Sequence, residues 1–470
     1  MERLIFSLAV WGTFVLGTAK NGAAVPPPAV PVVEAEENVY SYEDARNGAG
    51  PMWCSGSTCL VRAGTNVFVS GLETLRGVPP LNNCRWLLLG REAQGWRRLR
   101  AAPVGLTREP CPLAVFPPDR VFLSDDPTLA PNRPAGPSRP GLLEFSTANI
   151  NAPRASSFPE WRGAPEFTEY TYRSLAADGE AKELILFANA GQETNTSWGV
   201  NWSFFDRTGI WAAKGELRWP FGNNYSPPRP IRICFPNVLL RDRALHFCGV
   251  STIAEPNAAW REFKAGLKNS GSDYDSRRLF YIFSADITTG VFQDWVEIAS
   301  REQTAGRITP GDLWLDDEGT VHLVWAEQAI DERLREKFFP TAKQSHAINY
   351  ARVRNGVVTL RRTLALAEEG GSQEIPSAPR FQITPEGRIF VFYFVQGRDA
   401  VGKTVSENRL LEILRDGTPT EPVTVPLQHP LNSYFTATPR AGSARSNTLD
   451  LLGLRVESPT TVSYARVRLR

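Results

Sequence analysis

One four-part pattern recurs along this chain and restricts its fold more than any other feature. Its clearest copy consists of apolar segments separated by polar turns, at residues 311–319, 320–326, 346–352 and 357–362. Apolar runs of this length, bounded by turn residues, indicate β-strands. Strands joined in succession by short turns pair antiparallel. Each copy is therefore predicted to be one four-stranded antiparallel sheet.

Other copies of the pattern occupy most of the remaining sequence. Two are clear, at residues 232–240, 244–250, 278–284 and 295–298, and at residues 380–384, 388–394, 409–414 and 422–426. Weaker copies begin near residues 59–61, 111–116 and 170–175. A seventh begins at Tyr434 and supplies only three strands, 435–438, 449–454 and 462–469. Seven such units are typical of a propeller.

The incomplete seventh unit needs a fourth strand from elsewhere, and residues 38–42 are the natural donor. A strand from the N-terminal region would close the ring and leave no exposed sheet edge. We therefore predict an all-β fold, a seven-bladed β-propeller of four-stranded antiparallel blades, with short helices only in loop insertions. A β-sandwich is the alternative, but it would need fewer and less regular units.

The N-terminal residues are predicted to lie outside this domain. Residues 4–17 are apolar and follow Glu2-Arg3, which indicates a signal peptide over residues 1–19 and an exported protein. An uncleaved anchor is the alternative. Residues 20–37 form a proline-rich linker, and residues 38–470 form the propeller. No other long apolar run is present, so no membrane span is expected in the mature chain.

Charge and cysteine content limit the partners. The net charge is +2 and both signs are spread along the chain, so the sequence has no electrostatic footprint for nucleic acid. Six cysteines in an exported chain would allow disulfides. Cys234 and Cys248 flank a predicted hairpin and would face each other if its turn were centred on Arg241. Two packed thiols are the alternative.

Polar residues near the starts of the first strands are predicted to gather around the central axis. When the blades are aligned by their turn glycines, Arg380 and Asp312 occupy equivalent positions in their first strands. Three further polar residues occupy similar positions in other blades: Arg173, Asn237 and Arg440. Guanidinium groups bind carboxylate or sulfate through two hydrogen bonds, so Arg173, Arg380 and Arg440, with Asn237, are candidate ligands for an anionic sugar. Salt bridges between blades are the alternative.

Candidate catalytic residues lie on loops or strand ends of one face. Paired carboxylates perform glycosidic hydrolysis, and Glu327 and Asp275, with Asp312, are the leading candidates; Glu169 and Glu407 share the face. His346 and Tyr350 favour another chemistry, the abstraction of a proton beside a uronate carboxylate. No cofactor or metal motif is present, although Asp273-x-Asp275 matches part of a calcium loop.

The repeats resemble a known family. A tryptophan stands near the start of the fourth strand at Trp96, Trp211 and Trp295, and residues 203–211 are similar to an Asp-box, with Asp206 and Gly209 ordering a hairpin. These features resemble the BNR-type repeats of the sialidase-like propeller superfamily. Residues 232–236 are faintly similar to the Arg-Ile-Pro segment of true sialidases. The resemblance implies glycoside hydrolases, polysaccharide lyases or glycan binders.

The sequence thus predicts a secreted, monomeric, carbohydrate-active propeller. Its partner would be a poly- or oligosaccharide, and the leading hypothesis is a glycoside hydrolase that acts on an acidic or sulfated glycan. A polysaccharide lyase of the same architecture and a non-catalytic glycan-binding scaffold are the alternatives.

Overall fold

Seven four-stranded antiparallel sheets make up the chain. A computed structural model describes residues 29–103, 106–190, 198–267 and 273–470. In each sheet the first strand lies next to the first strands of the neighbouring sheets, so the sheets form a ring. The predicted seven-bladed β-propeller is confirmed. The predicted signal peptide lies outside the described residues.

The strands follow one another blade by blade, in the order first to fourth from the axis outward. Blades one to three contain β2 (Leu60–Ala63), β3 (Asn66–Thr74), β4 (Cys84–Glu92), β5 (Gly95–Ala101); β6 (Leu113–Phe116), β7 (Arg120–Asp125), β8 (Gly141–Ser146), β9 (Asn149–Ser157); and β10 (Arg173–Asp178), β11 (Glu183–Ala188), β12 (Gly199–Phe205), β13 (Trp211–Arg218). Two short strands, β14 (Phe221–Gly222) and β15 (Arg229–Pro230), form a hairpin between blades three and four.

The remaining blades contain longer strands. Blade four contains β16 (Ile233–Arg241), β17 (Ala244–Ser251), β20 (Arg278–Ser284) and β21 (Val296–Ser300), with a small inserted hairpin of β18 (Ile253–Ala254) and β19 (Tyr274–Asp275). Blades five to seven contain β22 (Ala305–Leu315), β23 (Val321–Ile330), β24 (Ser345–Arg354), β25 (Val357–Glu368); β26 (Gln373–Ile383), β27 (Ile389–Arg398), β28 (Thr404–Ile413), β29 (Val423–Val425); and β30 (Leu431–Thr436), β31 (Thr448–Arg455), β32 (Ser458–Leu469), β1 (Pro31–Ser41).

Burial changes from the axis outward, and the sequence pattern changes with it. The second strand β27 is buried over seven consecutive residues because neighbouring blades cover both of its faces. The fourth strand β13 alternates between exposed and more buried residues because one of its faces meets solvent. Tight turns between first and second strands use glycines at positive φ, as at Gly319 and Gly387, both at φ 80°.

The N-terminal strand closes the ring. β1 pairs antiparallel with β32 from Pro31, opposite Leu469, to Ser41, opposite Thr461. The predicted closure is therefore found, but the strand begins at Pro31, inside the segment that we predicted to be a linker. Proline is tolerated at the first residue of a strand, because no preceding ladder hydrogen bond needs its missing N–H group.

Two chain segments fill the axis of the ring. Residues 54–58 enter from the connection between β1 and β2, and Ser57 Oγ accepts a hydrogen bond from Leu175 N at 3.0 Å. Residues 437–447, between β30 and β31, reach across to blades two and three. There, Ala441 O accepts from Val115 N and Arg440 O accepts from Ala177 N, both at 2.8 Å. We call these two segments the axial plug.

Close approach explains the glycines of the axial plug. A Cβ atom on Gly442 would lie 2.0 Å from Val115 O, and a Cβ atom on Gly56 would lie 2.2 Å from Phe235 O. Gly442 also has a φ of 85°, in the left-handed region. Only glycine fits both positions without moving backbone.

The connections between blades and the loops between second and third strands open on one side, which we call the loop face. Two of these loops contain the predicted helices, α1 (Ala258–Ala265) and α2 (Glu332–Phe338). Trp260 of α1 packs edge-on against Phe339 with ring centroids 5.5 Å apart. Lys264 is buried between Glu255 and Asp273, at 2.8 and 2.7 Å, and holds α1 to the blade. The apolar residues of these helices serve packing.

The predicted opposition of Cys234 and Cys248 is wrong. The turn lies at Asp242-Arg243, and a bulge in β16 shifts the register, so that Cys234 lies opposite Val250 and Cys248 lies opposite Asn237. All six cysteines are buried, and within the described residues none is paired with another in a disulfide. Among the helices of the described residues, none is long and apolar enough to cross a membrane.

Candidate functional site

A charged network on the loop face of blade four surrounds Arg277. Its two terminal nitrogens donate to both carboxylate oxygens of Glu255, at 2.7 and 3.0 Å. Its Nε donates to Glu302 Oε1 at 3.2 Å and lies 3.5 Å from Asp275 Oδ2. Arg277 is itself buried, so it fixes three carboxylates around one rigid guanidinium plane.

Tyr225 connects this network to the surface. It lies in the β14–β15 hairpin, and its hydroxyl donates to Glu302 Oε1 and accepts from Arg278 Nη1, each at 3.1 Å. The Tyr225 side chain is half-buried, and about a third of the Glu302 side chain is exposed. The phenol therefore has a base on one side, a cation on the other and access to solvent.

Burial and neighbouring charge shift the proton affinities of this site. Asp275 is buried, and burial together with the charge of Glu302 raises the pKa of its carboxyl to about 6. One of its oxygens accepts from Ser251 Oγ at 2.8 Å and from Arg277 N at 2.9 Å. Burial and the charge of Asp275 raise the pKa of Tyr225 well above its usual range. The Tyr225 phenol is therefore neutral and needs a partner to remove its proton.

Two arginines flank the Tyr225 ring, and one of them, Arg278, is also paired with Glu297. The guanidinium groups of Arg278 and Arg229 both lie 5.9 Å from the centre of the Tyr225 ring. The buried Nε of Arg229 makes no hydrogen bond within the described residues. Two guanidinium groups beside one phenol suit a carboxylate or sulfate on a ligand.

The two leading predicted carboxylates lie in adjoining parts of one network. Arg301 donates to Glu327 Oε2 at 2.6 Å, and Arg301 N donates to Arg277 O at 2.8 Å. Trp325 Nε1 also donates to Glu327, at 2.5 Å. The Glu327 carboxylate is thus engaged by an arginine and a tryptophan. Of the two, Asp275 is the carboxyl that lies beside the tyrosine.

Three other predicted catalytic residues lie apart from this network. Asp312 is on the axis, far along β22 from the loop face. His346 and Tyr350 are four residues apart on β24, which separates them by about 13 Å along the strand. Tyr350 is fully buried and bonds His322 Nδ1 at 2.6 Å, so His346 and Tyr350 are not brought together. Glu169 accepts a hydrogen bond from Gly136 N, and Glu407 accepts one from Arg409. Both carboxylates are thus engaged by other residues of the protein.

The predicted polar ring gathers around the axis, but the axial plug occupies it. Arg440, itself a residue of the plug, donates to Asp312 at 2.7 Å, to Gly56 O at 3.1 Å and to Asn237 Oδ1 at 3.2 Å. Arg380 donates to Ser55 O at 2.9 Å and also to Gly311 O. All of these side chains are buried. The geometry favours a structural role for them, and their binding of a sugar stays a prediction.

The third arginine of that ring lies in a buried acidic cluster. Arg173 Nη1 lies 3.3 Å from Asp126 Oδ2, and Arg173 Nη2 donates to Pro110 O at 3.1 Å. Burial raises the pKa of Asp126 and of Glu109 to about 7, and that of Asp125 to about 6, although Arg173 opposes the rise for all three and Arg108, the ion-pair partner of Glu109, opposes it more strongly for Glu109. The cluster therefore holds protons that the unfolded chain would release at neutral pH.

This cluster predicts that stability falls as the pH rises. A carboxyl with a raised pKa in the folded state stabilises the fold fully below its unfolded pKa of about 4, and that contribution is lost as pH rises through about 7. Between pH 4 and 8, we expect the wild type to lose about 2 to 4 kcal/mol more than the Glu109→Gln/Asp126→Asn variant. Urea unfolding at stepped pH values measures this difference.

Glu92→Gln serves as the control for that measurement, because Glu92 is an exposed carboxylate paired with Arg97. Its pH profile should match the wild type. Identical slopes for the wild type and the double variant would refute proton retention by the cluster.

Aromatic rings cover the centre of the loop face. Phe235 meets Trp53 edge-on at 5.6 Å and lies 4.7 Å from Tyr172. Phe235 has a φ of 47°, which is strained for a bulky residue, and the bulge in β16 imposes it. The backbone of Phe235 faces Gly56 of the axial plug. Tyr225 lies in the connection between blades three and four, apart from this aromatic cluster.

Tyr225, Arg278 and Glu302 were missed by the sequence reasoning. They come from three separate connections, one between blades three and four, one at the start of β20 and one between blades four and five. The Arg277-Arg278 pair, two residues after the predicted acid Asp275, is the one sequence signal that could have found them. Within the described residues, no group of three or more His, Cys, Asp or Glu side chains is placed to hold a metal ion.

The fold and this site define a seven-bladed β-propeller with an arginine-rich, tyrosine-containing cluster on its loop face. No family model and no curated protein matches the sequence. The solved structure of a polysaccharide lyase, the PL25 ulvan lyase, is 9% identical, with 93% of this chain and 95% of that chain covered and a TM-score of 0.52. The chain thus shares the overall fold of this lyase.

Two further structures are similar at lower scores. An α-L-arabinanase from Penicillium chrysogenum is 10% identical, with coverage of 93% and 98% and a TM-score of 0.38. The apocarotenoid oxygenase from Synechocystis is 10% identical, with coverage of 94% of each chain and a TM-score of 0.41.

Proposed function

We propose that this protein is an exported glycoside hydrolase that acts on an acidic or sulfated polysaccharide at the Tyr225 site. The observation that carries the proposal is the Tyr225 hydroxyl, held at 3.1 Å between a carboxylate and a guanidinium beside a second carboxyl of raised pKa. A nucleophile, a base and an acid are the groups that two-step glycosidic hydrolysis needs.

In the first step, the Tyr225 oxygen attacks the anomeric carbon while its proton passes to Glu302. Sialidases also use a tyrosine nucleophile. Arg278 donates to the phenol oxygen and stabilises its developing negative charge. Asp275, protonated below its pKa of about 6, gives its proton to the departing glycosidic oxygen. In the second step, water attacks the anomeric carbon and gives a proton to Asp275. The departing Tyr225 oxygen takes its proton back from Glu302.

The carboxyl separation is compatible with this assignment. Asp275 Oδ2 and Glu302 Oε1 both lie near Arg277 Nε, at 3.5 and 3.2 Å, so these oxygens are at most about 7 Å apart. Asp275 is buried in the sugar-free protein. Its role as acid therefore requires the short β18–β19 hairpin to move when the sugar binds.

An anionic substrate follows from the surrounding cations. Arg229 and Arg278 flank the tyrosine ring, and the buried Nε of Arg229, which makes no hydrogen bond within the described residues, would donate to a carboxylate or sulfate group once the β14–β15 hairpin moves to expose it. The polysaccharide lyase named above is recorded as an ulvan lyase. Ulvan, polygalacturonate and chondroitin sulfate are therefore suitable test substrates.

Membership of the sialidase-like superfamily is part of the proposal. Its support is the Asp206 turn, where Oδ1 of Asp206 accepts from Thr208 N at 2.8 Å and from Ile210 N at 3.3 Å. A similar aspartate turn recurs at Asp286-x-Thr288, where Thr288 N donates to Asp286 at 2.9 Å. Export rests on the apolar residues 4–17 alone.

The test is product analysis combined with a pH profile. Hydrolysis releases reducing ends without ultraviolet absorbance, whereas a lyase releases unsaturated uronates that absorb. Because Asp275 acts as the acid, we expect kcat to fall as the pH rises above about 6 and Asp275→Asn to lower kcat about 10²-fold or more and to remove this alkaline limb. Reducing-end assays from pH 4 to 9 measure both effects.

Two results would contradict this proposal. Unsaturated products would show that the protein is a lyase and not a hydrolase. Tyr225 could also serve a lyase by removing a proton, and Arg278 by neutralising a carboxylate. An unchanged alkaline limb in Asp275→Asn would remove Asp275 from the chemistry.

A further inference from the structure

Two aromatic side chains on the loop face are exposed and parallel. Trp198 is 62% exposed and Phe221 is 43% exposed. Their rings lie at an interplanar angle of 12°, with centroids 6.1 Å apart. Single exposed apolar residues are normal on protein surfaces, but an exposed aromatic pair in one orientation is a more specific signal.

Paired backbone holds both rings in place. Trp198 O accepts from Trp219 N at 2.9 Å, which ties the residue before β12 to the end of β13. Phe221 pairs with Pro230 in the β14–β15 hairpin. The Trp219 side chain is buried. The two rings are therefore presented by rigid elements and lose little conformational freedom when they bind a ligand.

The same hairpin carries Tyr225. Tyr225 N donates to Gly222 O at 3.2 Å, and a Cβ atom on Gly222 would lie 2.4 Å from the Tyr225 ring. Phe221 is therefore adjacent, along the chain and in space, to the turn that positions the proposed nucleophile. A ligand on the ring pair would continue directly toward the charged site.

We propose that Trp198 and Phe221 form a stacking subsite for uncharged faces of sugar rings in a polysaccharide chain, so that the protein acts on polymers in preference to short oligosaccharides. The axial C–H groups of a pyranose carry partial positive charge and face the electron-rich side of an aromatic ring favourably. The arginines near Tyr225 would then bind the acidic groups of the same chain. This inference rests on the proposed function for its substrate class.

Affinity electrophoresis in native gels that contain polygalacturonate, chondroitin sulfate or ulvan tests the subsite. The protein carries Glu302→Gln throughout, so that the polymer is not consumed. We expect Trp198→Ala and Phe221→Ala each to raise the dissociation constant about tenfold. In separate activity assays on proteins that keep Glu302, kcat/KM for polymer should fall by a similar factor in the Trp198→Ala and Phe221→Ala variants, and for a di- or trisaccharide it should change by less than roughly twofold.

Phe158→Ala is the matched control. Phe158 is also 43% exposed and aromatic, but it lies under the guanidinium of Arg139, at 3.6 Å, on another blade. Its variant should be retarded like the parent protein. Equal retardation of the Trp198→Ala variant and the parent would overturn the subsite.

The remaining outcomes separate the subsite from the proposed function. Retardation that depends on Trp198, without turnover of any polymer by the wild type, would support the subsite and refute the hydrolase. Absence of retardation with all three polymers would refute the subsite. Concentration-dependent dimerisation that Trp198→Ala abolishes, with no change in retardation, would assign the ring pair to self-association and overturn the proposal.

Discussion

Glu302→Gln is expected to lower kcat about 10²- to 10⁴-fold on a polysaccharide that the wild type hydrolyses. The glutamine keeps the shape of the side chain and can still accept from Tyr225 and Arg277, but it cannot take up the phenol proton. Tyr225→Phe removes the attacking oxygen and is expected to cause a loss of similar size. Because the two residues act as one unit, the double variant should be little worse than either single variant.

Glu297→Gln is the control for this experiment. Glu297 accepts from Nε of the same Arg278 at 3.1 Å, but it has no contact with the Tyr225 hydroxyl. Its variant should retain activity within a few-fold, and circular dichroism melts should show that every variant is folded. Full activity of Glu302→Gln, or additive losses in the double variant, would contradict the nucleophile–base pairing.

Arg440→Ala is expected to destabilise the fold by about 3 to 5 kcal/mol. The loss leaves the buried Asp312 carboxylate without its cation and removes the hydrogen bonds to Asn237 and Gly56 O. Asp312 would still accept from Phe381 N at 3.1 Å. Chemical unfolding gives the free energy of unfolding from the midpoint and from its dependence on denaturant concentration, provided that the transition remains two-state.

Two comparisons make the Arg440 result specific. Arg97→Ala breaks an exposed ion pair with Glu92 at 2.6 Å and should cost less than about 1 kcal/mol. In Arg440→Met/Asp312→Leu the unpaired buried charge is absent, so part of the lost stability should return. A loss below 1 kcal/mol for Arg440→Ala would show that the axial plug does not depend on this ion pair.

Local pattern was enough to predict the ring. Apolar runs and turn glycines such as Gly319 and Gly387 are set by each blade separately, so the repeat is visible without knowledge of tertiary structure. The donor of the closing strand was also predicted, although its start at Pro31 was not. The positions of Cys234 and Cys248 were predicted wrongly because a bulge shifts register without any change in the hydrophobic pattern.

The site was only partly predictable because its parts meet through long-range topology. Asp275 was predicted to lie on the loop face, and the structure places it there, at the end of β19; its catalytic role stays a prediction. Tyr225 and Glu302 are 77 residues apart, and no local spacing relates them. Arg380 and Asp312 were correctly predicted to lie near the axis. The axial plug that fills this space was not predicted, because its two segments have no repeating sequence pattern. Consequently, a binding ring and a filled interior have the same sequence pattern.

The closing strand has a consequence for synthesis. Its partner β32 lies about 430 residues later in the chain, so β1 must wait about 20 to 90 seconds, at a ribosomal rate of roughly 5 to 20 residues per second, before it can pair. An unpaired edge invites aggregation, and acidic side chains discourage it. We infer that Glu34, Glu36 and Glu37, which all lie on β1, supply that repulsion before the strand pairs. In the folded ring Glu34 forms an ion pair with Arg468, and Glu37 forms one with Arg91. The same charges that would oppose wrong pairing of the free strand therefore stabilise its correct position.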